Sequence, residues 1–373
     1  MPRPIRVLHI VGAMNQGGVE SWLMALLRHA DRREIAMDFL VHTAEAAAYD
    51  SEITTLGAAI IPCPSVHRLA YFREFDAALG RHEPYDVLHS HVHWFSGLTT
   101  TLARRRGVRV RIAHSHSNSS SHESGAGPLR AAYRNLMRRG MFSSATHLLA
   151  ASRPAACALF GDGWSESSRA RVIYCGVDFT PFSAADAAAN RESVRQEFGI
   201  GPSEIVMGHV GNFHAPKNHA FLAAIAACAT RRQPGIRVLC AGGGPLREPV
   251  QAQFEQAGVH AIFAGPRADI PRLLRAIDVF VFPSLYEGLP LAVVEAQAAG
   301  LPCVVSTEVT REVEAVPGLI RWLPLWAGAS IWADTVLQAA RQPVQAASGL
   351  AAMRRSAFSV ETSFDNMQAI YRA

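Results

Sequence analysis

Two glutamates, Glu287 and Glu295, flank a Gly-Leu-Pro break near the middle of the second half of the chain. The apolar run 278–283 predicts a buried strand, and the run 289–299 predicts a helix with a proline in its first turn. The loop between them would present the amides of Gly288 and Leu289 at the positive end of the helix dipole, which favours an anion. A carboxylate repels phosphate but accepts hydrogen bonds from hydroxyls. The segment therefore predicts a site in which the carboxylates hold sugar and ribose hydroxyls and the backbone holds a diphosphate.

The single lysine of the chain is Lys217, although Lys and Arg together number 36. It lies in segment 208–219, directly after the first predicted strand of the second half. The ammonium group of lysine is a compact point charge, whereas the guanidinium of arginine is a planar fork. A diphosphate site could require the point charge, so the position of Lys217 indicates a phosphate contact. Chance survival in an arginine-biased chain is the alternative.

Segment 283–295 resembles the donor motif of family 4 glycosyltransferases, which are two-domain GT-B enzymes that transfer a sugar from a nucleotide donor with retention of configuration. The resemblance implies that Lys217 neutralises the departing diphosphate, that Glu287 positions the sugar, and that Glu295 holds the ribose. Two solvated glutamates on an ordinary strand–helix unit are the alternative, which the surrounding Ser-Leu-Tyr-Glu-Gly-Leu-Pro context disfavours.

One position departs from the family pattern. The family usually has an arginine after the glycine of the loop that contains Lys217, and this chain has Asn212 there. Asparagine can donate a hydrogen bond but cannot offset charge. We expect either that Lys217 and the helix amides suffice or that Arg267, which follows another predicted strand, takes the place of the arginine.

Glycines follow two further predicted strands. Gly17 and Gly18 match the N-terminal glycine loop of the family, whose amides would approach the donor phosphates or the acceptor. Gly244, in segment 241–246, matches its Gly-x-Gly-Pro-Leu loop, near which the nucleobase would lie. Neither segment has the Gly-x-Gly-x-x-Gly dinucleotide fingerprint.

Sixteen histidines invite a metal interpretation, especially at 89, 91 and 93 and at 114 and 116. Alternate residues of a strand share one face, so zinc ligation is geometrically feasible. The chain has no Asp-x-Asp motif, and we expect no metal and no cofactor. The resemblance instead implies that His114 or His116, with His116 preferred, bonds a hydroxyl of the donor sugar. The histidines at 89, 91 and 93 would line the acceptor side or be structural.

The length of 373 residues exceeds the roughly 250–300 at which one hydrophobic core stops growing, which favours two domains. Strands alternate with helices in two series, the pattern of parallel, doubly wound sheets. The predicted strands are 5–11, 37–41, 86–89, 108–113, 147–151 and 171–174 in the first series and 205–210, 236–240, 260–264, 279–283 and 302–306 in the second.

These series predict an α/β, GT-B architecture of two Rossmann-like domains with an interdomain cleft. We place the acceptor-side domain at 1–185, the nucleotide-sugar domain at 186–356, and a C-terminal helix that crosses back to the first domain at 357–373. Gly176, Val177 and Asp178 match a turn of the family that we interpret as a hinge.

The formal charge is +5 and the pI is near 9.1, which favours an anionic partner. Arginines recur at helical spacing after Pro128, together with apolar residues, so an amphipathic helix at an anionic membrane surface is one interpretation and a solvated helix face is the other. We expect no nucleic-acid partner because no binding motif accompanies the charge. No signal peptide or membrane span is evident, and we expect a cytoplasmic protein that associates peripherally with the membrane.

The sequence thus predicts a retaining, metal-independent glycosyltransferase that moves a sugar from a nucleotide-sugar, taken to be a UDP-sugar, to a lipid-linked or polysaccharide acceptor in surface glycan synthesis. Three alternatives remain: a catalytically weak nucleotide-sugar-binding subunit, a nucleotide-sugar epimerase on the same fold, and a nicotinamide oxidoreductase. The missing dinucleotide fingerprint disfavours the oxidoreductase.

Overall fold

The computed structural model describes residues 3–66, 70–81, 84–118, 127–183 and 187–373. It divides into two compact units, Met1–Gly176 with Val360–Ala373, and Val177–Ser359. The boundary that we predict near residue 185 falls outside the described residues. The second unit begins earlier, at Val177, because the Val177 amide donates a 2.8 Å hydrogen bond to the Phe358 carbonyl and Val177 forms a parallel bridge with Ser359.

The first unit is built on a seven-stranded parallel sheet. Its strands are β1 (Ile5–Val11), β2 (Ile35–Val41), β3 (Ile60–Pro62), β4 (Val87–Ser90), β5 (Val110–Ser115), β6 (His147–Ala150) and β7 (Ala170–Val172). The order is β3-β2-β1-β4-β5-β6-β7, so the chain moves outward from β1 in one direction and then in the other. The switch point therefore lies at the carboxyl ends of β1 and β4, where ligands of such sheets bind.

Seven helices belong to the described part of the first unit. They are α1 (Gly18–His29), α2 (Asp50–Thr55), α3 (Ala70–Arg81), α4 (Ser96–Arg105), α5 (Pro128–Ser144), α6 (Arg153–Phe160) and the C-terminal helix Val360–Arg372. The C-terminal helix, α14, packs on α1 and β1. The hydrogen bonds that hold it include one from the Trp22 indole to the Ser363 hydroxyl at 2.9 Å and one from Arg372 to Glu34 at 2.7 Å.

The second unit repeats this plan with six parallel strands. They are β8 (Ile205–Val210), β9 (Ile236–Ala241), β10 (Ala261–Gly265), β11 (Val279–Phe282), β12 (Cys303–Ser306) and β13 (Ile320–Leu323). The order is β10-β9-β8-β11-β12-β13, which places the switch point between β8 and β11. The helices are α7 (Ala187–Glu197), α8 (His219–Arg232), α9 (Arg247–Gln256), α10 (Ile270–Leu274), α11 (Leu291–Ala298), α12 (Gly328–Ala340) and α13 (Ala346–Arg354).

The strands are buried because they read as near-continuous apolar runs that helices cover on both faces. All four residues of β11, Val-Phe-Val-Phe, are completely buried. Helix α7 is held to this unit by Arg195, whose guanidinium pairs with the Asp278 carboxylate at 2.7 Å just before β11.

Every predicted strand is present, with ends within two residues of the prediction. The sequence analysis missed β3 and β13, two short strands at the outer edges of the sheets. Among the described residues, no helix is long and apolar enough to cross a bilayer.

Candidate functional site

The switch point of the second sheet carries an ion pair between two predicted site residues. Lys217 ends a 3-10 turn, Ala215–Lys217, in the loop after β8, and Glu287 lies in the loop after the neighbouring strand β11. Lys217 Nζ donates to Glu287 Oε1 at 2.7 Å, and the side chains are 21% and 13% exposed. Because the pair is only partly buried, both groups can reach a ligand at this edge of the sheet. A cation and a hydroxyl acceptor therefore stand side by side.

The two loops are joined by their backbones. The Leu285 amide donates to the Pro216 carbonyl at 2.8 Å, and the Asn218 side-chain amide donates to the Pro283 carbonyl at 3.1 Å. Asn218 has φ 55°, a left-handed conformation that asparagine tolerates better than most residues. These contacts fix Lys217 relative to Glu287 before any ligand arrives.

The Lys217 side chain also lies between a glycine and an aromatic ring. A Cβ at Gly211 would come within 3.2 Å of both Cδ and Cε of Lys217, so glycine leaves room for the lysine stem. On the other side, Nζ is 5.0 Å from the centroid of the Phe282 ring, a cation–π distance. The lysine stem is therefore held in place along its length.

Glu295 lies on α11, which begins at Leu291 with Pro290 as its N-cap. Its carboxylate has neither a hydrogen bond nor an ion pair among the described residues, and burial raises its pKa to about 7. A desolvated carboxyl without a partner is a strong acceptor for a hydroxyl that enters the site. Gly288 is buried and Leu289 partly buried in the turn before the helix.

Asn212 and Gly244 occupy neighbouring loops that pack closely. Asn212 Oδ1 accepts a long, 3.4 Å hydrogen bond from the Gly243 amide, and the Phe213 amide donates to the Gly243 carbonyl at 2.7 Å. Gly244 has φ 139°, and a Cβ there would lie 2.7 Å from the Phe213 carbonyl oxygen. Glycine at 244 is thus required by the approach of the two backbones.

Arg267, our candidate for the missing cation, has other partners. Its guanidinium pairs with Asp269 at 2.7 Å and with Glu197 at 2.8 Å, and the hydrogen bonds that it donates to Asp269 raise its pKa. Among the described residues it makes no contact with Lys217 or Glu287. Its role at a diphosphate remains a prediction, and its contacts do not favour it.

The sequence analysis did not predict two buried histidines beside Lys217, His209 and His219. His209 Nδ1 donates to the Val281 carbonyl at 2.9 Å, while its Nε2 and that of His219 lack partners among the described residues. Burial lowers their pKa values to about 4 and about 2, so both are neutral. The hydroxyl of Ser284, also buried, has no partner either. Only their positions could have indicated them: His209 lies near the end of β8, and His219 and Ser284 lie in the segments that follow β8 and β11.

In the first unit, five histidines share one face at the ends of three central strands. They are His9 on β1, His89 and His91 at β4, and His114 and His116 at β5. The Trp22 ring of α1 packs on four of them, with ring centroids 5.3–6.2 Å apart. The structure thus brings the predicted donor-sugar histidines into one cluster with His89 and His91, two of the three that we expected to line the acceptor side or be structural. His93, the third, lies in a 3-10 turn after β4 and is not one of the five.

The five imidazoles form two hydrogen-bonded chains. One chain runs from His9 Nδ1 to His91 Nε2 (3.1 Å) and from His91 Nδ1 to His116 Nε2 (2.9 Å). The other runs from the Tyr371 hydroxyl to His89 Nδ1 (2.9 Å) and from His89 Nε2 to His114 Nδ1 (3.0 Å). The tyrosine comes from the C-terminal helix, and neither it nor Trp22 was predicted.

All five histidines are neutral. Burial lowers the pKa values of His9 and His116 to about 3, and burial together with the neighbouring imidazoles lowers those of the other three well below their usual range. Gly17 and Gly18 lie nearby in sequence at the start of α1, with Gly17 as the N-cap. A Cβ at Gly17 would collide with the Glu20 carboxylate, so the glycine leaves space for that side chain.

Two family models and one relative assign this chain to the same group of enzymes. The model of Glycosyltransferase Family 4 matches residues 16–180, and the model of Glycosyl transferases group 1 matches residues 204–323. EpsF of Bacillus subtilis (strain 168), a protein named as a glycosyltransferase, is 36% identical over 340 residues, which cover 90% of this chain and 88% of EpsF.

Solved structures show the same fold. Anabaena Alr3699/HepE, crystallised in complex with UDP and glucose, matches with a TM-score of 0.79 at 18% identity, covering 99% of this chain and 100% of that one. WaaG, a glycosyltransferase involved in lipopolysaccharide biosynthesis, matches with a TM-score of 0.71 at 16% identity, covering 98% and 99%. The chain therefore belongs to glycosyltransferase family 4 and has the GT-B fold, with two Rossmann-like domains.

Proposed function

We propose that this enzyme transfers a sugar from a nucleotide-sugar, with a UDP-sugar as the donor, and retains the configuration at the anomeric carbon. The observation that carries the proposal is the Lys217–Glu287 pair at the switch point of the second sheet. A cation that neutralises a diphosphate and a carboxylate that accepts sugar hydroxyls are the two groups that a nucleotide-sugar requires there. HepE, which shares the fold, was crystallised with UDP and glucose.

In this proposal each of the site residues of the second domain binds one part of the donor. Lys217 pairs with the diphosphate as negative charge develops on it, and the amides of Gly288 and Leu289 add donors at the start of α11. Glu287 accepts hydrogen bonds from the sugar and Glu295 from the ribose. The 2.7 Å contact of Lys217 with Glu287 supports this division, because it places the charge and the hydroxyl acceptor within the span of adjacent groups on one ligand.

Retention follows from the direction of attack. The acceptor hydroxyl approaches the face of the sugar that the diphosphate leaves, the bond from the anomeric carbon to phosphate oxygen breaks, and the bond to the acceptor oxygen forms. A phosphate oxygen of the donor takes the hydroxyl proton, so that no protein nucleophile is needed. We propose that Lys217 and the backbone amides stabilise the leaving group without a metal ion.

The acceptor in this proposal is lipid-linked or a growing glycan of the cell surface. The support is the likeness to EpsF and to WaaG, the latter named for lipopolysaccharide biosynthesis. We also propose peripheral binding to an anionic membrane through α5. Leu129 and Leu136 on this helix are 88% and 62% exposed, and Arg130 and Arg139 flank them.

A second candidate is a catalytically weak subunit that binds the donor without efficient turnover. Two observations favour it: Asn212 stands where the family usually has arginine, and Arg267 is already paired with two carboxylates. This candidate predicts nucleotide binding equal to that of an active enzyme, with little product.

A thermal-shift panel tests the proposal. UDP, GDP, ADP and CMP, each alone and with common sugars attached, are added to the wild type, to Lys217→Ala and to a control, Arg321→Ala, which removes a cation from the same domain away from the loops. We expect one nucleotide to raise the Tm of the wild type and the control but not of Lys217→Ala. No shift with any nucleotide in a folded sample would overturn the donor site, and binding without transfer to any acceptor extract would favour the weak subunit.

A further inference from the structure

Three histidines of the first-domain cluster bring ring nitrogens together at one place. One ligand nitrogen from each of His91, His114 and His116 lies within 4.8 Å of those of the other two. His114 is buried, whereas His91 and His116 are partly exposed, so the group opens to solvent on one side. The three side chains come from neighbouring strand ends, at β4 and β5, which the sheet holds in fixed register.

The hydrogen bonds around these histidines define which nitrogens are available. His114 Nδ1 faces His89 Nε2 at 3.0 Å, His91 Nε2 faces His9 Nδ1 at 3.1 Å, and His116 Nδ1 faces the Cys175 sulfur at 3.6 Å. If each of these outer nitrogens carries the proton, it donates to a neighbour behind the cluster. The remaining nitrogens, His91 Nδ1, His114 Nε2 and His116 Nε2, then present lone pairs.

This arrangement is the one that metal-binding histidines adopt. A ligating imidazole usually donates its second N–H to a carboxylate, carbonyl or other acceptor, which fixes its tautomer and orientation. Here the acceptors are His89, His9 and Cys175, and His89 is itself bonded to the Tyr371 hydroxyl at 2.9 Å.

A second, independent observation points to a ligand. His114 is fully buried, and its Nε2 has no hydrogen-bond partner among the described residues. Leaving a buried polar atom without a hydrogen-bond partner is unfavourable, and a bound group would remove that cost. Without a metal, His91 Nδ1 and His116 Nε2 share one proton in their 2.9 Å hydrogen bond. An ion would displace that proton, and a small movement suffices because two nitrogens about 2.0–2.1 Å from a tetrahedral zinc ion lie about 3.4 Å apart.

We propose that His91, His114 and His116 bind one divalent transition-metal ion of the zinc type, with an open position left for water or a hydroxyl. Imidazole ligands without carboxylates favour Zn²⁺ and Co²⁺ over Mg²⁺ and Ca²⁺. The site ties β4 to β5, and its test does not require transfer activity. It does constrain one assignment, because a sugar hydroxyl would then meet the open position of the ion rather than a ring nitrogen of His114 or His116.

Cobalt titration tests the site. Wild-type protein is stripped with a strong chelator, dialysed, and titrated with Co²⁺ while the visible d–d bands are recorded. We expect intense bands typical of a four-coordinate ion, saturation at one equivalent, and their loss on addition of Zn²⁺. Absence of stoichiometric binding by the folded wild type would overturn the proposal, and so would a near-ultraviolet thiolate band, which would identify Cys175 as a ligand instead.

Variants locate the ion. His116→Ala, at a partly exposed position, should weaken Co²⁺ binding at least about tenfold, and Cys175→Ser, which alters an acceptor behind the ligands, should weaken it less. His29→Ala is the matched control, because His29 is an exposed histidine of the same domain. Unchanged binding by a folded His116→Ala variant would overturn the assignment. If that variant is unfolded by circular dichroism, His116→Asn takes its place with the same two outcomes.

Discussion

The carboxyl ends of β8 and β11 in the second domain carry a lysine and a glutamate in an ion pair, whereas the ends of β1 and β4 in the first domain carry neutral imidazoles. Both pairs of strands form the switch point of a sheet with the same central order. The second-domain groups are charged and partly exposed, and the first-domain groups are mostly buried under Trp22 and the C-terminal helix. One topology therefore carries a charged, partly exposed ion pair in one half and a cluster of neutral, mostly buried imidazoles in the other.

The largest effect that the comparison predicts is on Lys217. Lys217→Ala removes the cation of the second-domain site and leaves Glu287 as an unopposed negative charge where a diphosphate should bind. By analogy with the loss of one charge-stabilising donor, we expect kcat to fall about 10²–10³-fold. Steady-state transfer assays measure it, with Arg321→Ala as the control. A variant that keeps a tenth or more of the wild-type rate would show that the charge is not what distinguishes the second domain.

The next prediction concerns the histidine cluster of the first domain. Tyr371→Phe removes the hydroxyl that bonds His89 Nδ1 and leaves a buried ring nitrogen unsatisfied. We expect the first domain to lose about 1–3 kcal/mol of stability. Hydrogen–deuterium exchange of the β4 and C-terminal peptides reports on this domain by itself, which a single melting temperature of a two-domain chain does not.

The matched control for this variant is Tyr49→Phe, since the Tyr49 hydroxyl forms a 3.2 Å bond with Ser21 at the surface. It should change exchange by much less. Faster exchange confined to the second domain in Tyr371→Phe would contradict the view that the C-terminal helix supports the histidine cluster.

The sequence indicated the neighbourhood of Lys217 and Glu287 more readily than it indicated the histidine cluster, for a physical reason. Lys217 and Glu287 lie in the loops after β8 and β11, and Glu295 lies on the helix that follows the second loop, so local patterns of strand, loop and helix are enough to place them. The histidine cluster joins His9, four histidines between residues 89 and 116, and Tyr371 from the end of the chain. No local pattern specifies which of these meet, because packing between distant elements decides it.

The same distinction explains the smaller errors. Strands β3 and β13 are three and four residues long and lie at sheet edges, so neither has a clear apolar run. The contact of Arg267 with Glu197 depends on how α7 docks on its sheet, which the sequence does not reveal. The pKa of Glu295 likewise depends on burial rather than on neighbours in sequence.

A third prediction separates Glu295 from the ion pair by its pH dependence. Its folded-state pKa, about 7, is raised above the unfolded value of 4.5, so the folded protein holds this proton more tightly. The contribution of the protonated group to stability is complete below pH 4.5 and is lost as the pH rises towards 7. Glu295→Gln removes this dependence.

We therefore expect Glu295→Gln to stabilise the second domain at pH 8, by up to about 3 kcal/mol relative to the wild type, and to have little effect at pH 4.5. Urea unfolding at the two pH values measures it. Nucleotide affinity should fall at pH 8 because the amide is a weaker acceptor than a carboxylate. A stability difference that is the same at both pH values would show that burial does not hold the proton.

The smallest expected effect is that of Asn212→Arg, which restores the charge that the family usually has beside Lys217. The new guanidinium would lie near solvent, where an added ion pair contributes about 0.2–1 kcal/mol, so we expect nucleotide affinity to rise by about 1.4–5-fold. Isothermal titration with the nucleotide found in the panel measures this, and Asn212→Gln, which lengthens the side chain without charge, is the control. If kcat rises far more than affinity, charge at 212 limits turnover and the wild-type chain is the weak catalyst of the second candidate. If neither changes, Lys217 and the backbone amides already supply the neutralisation that the diphosphate requires, and the charge of the second-domain site is complete with a single lysine.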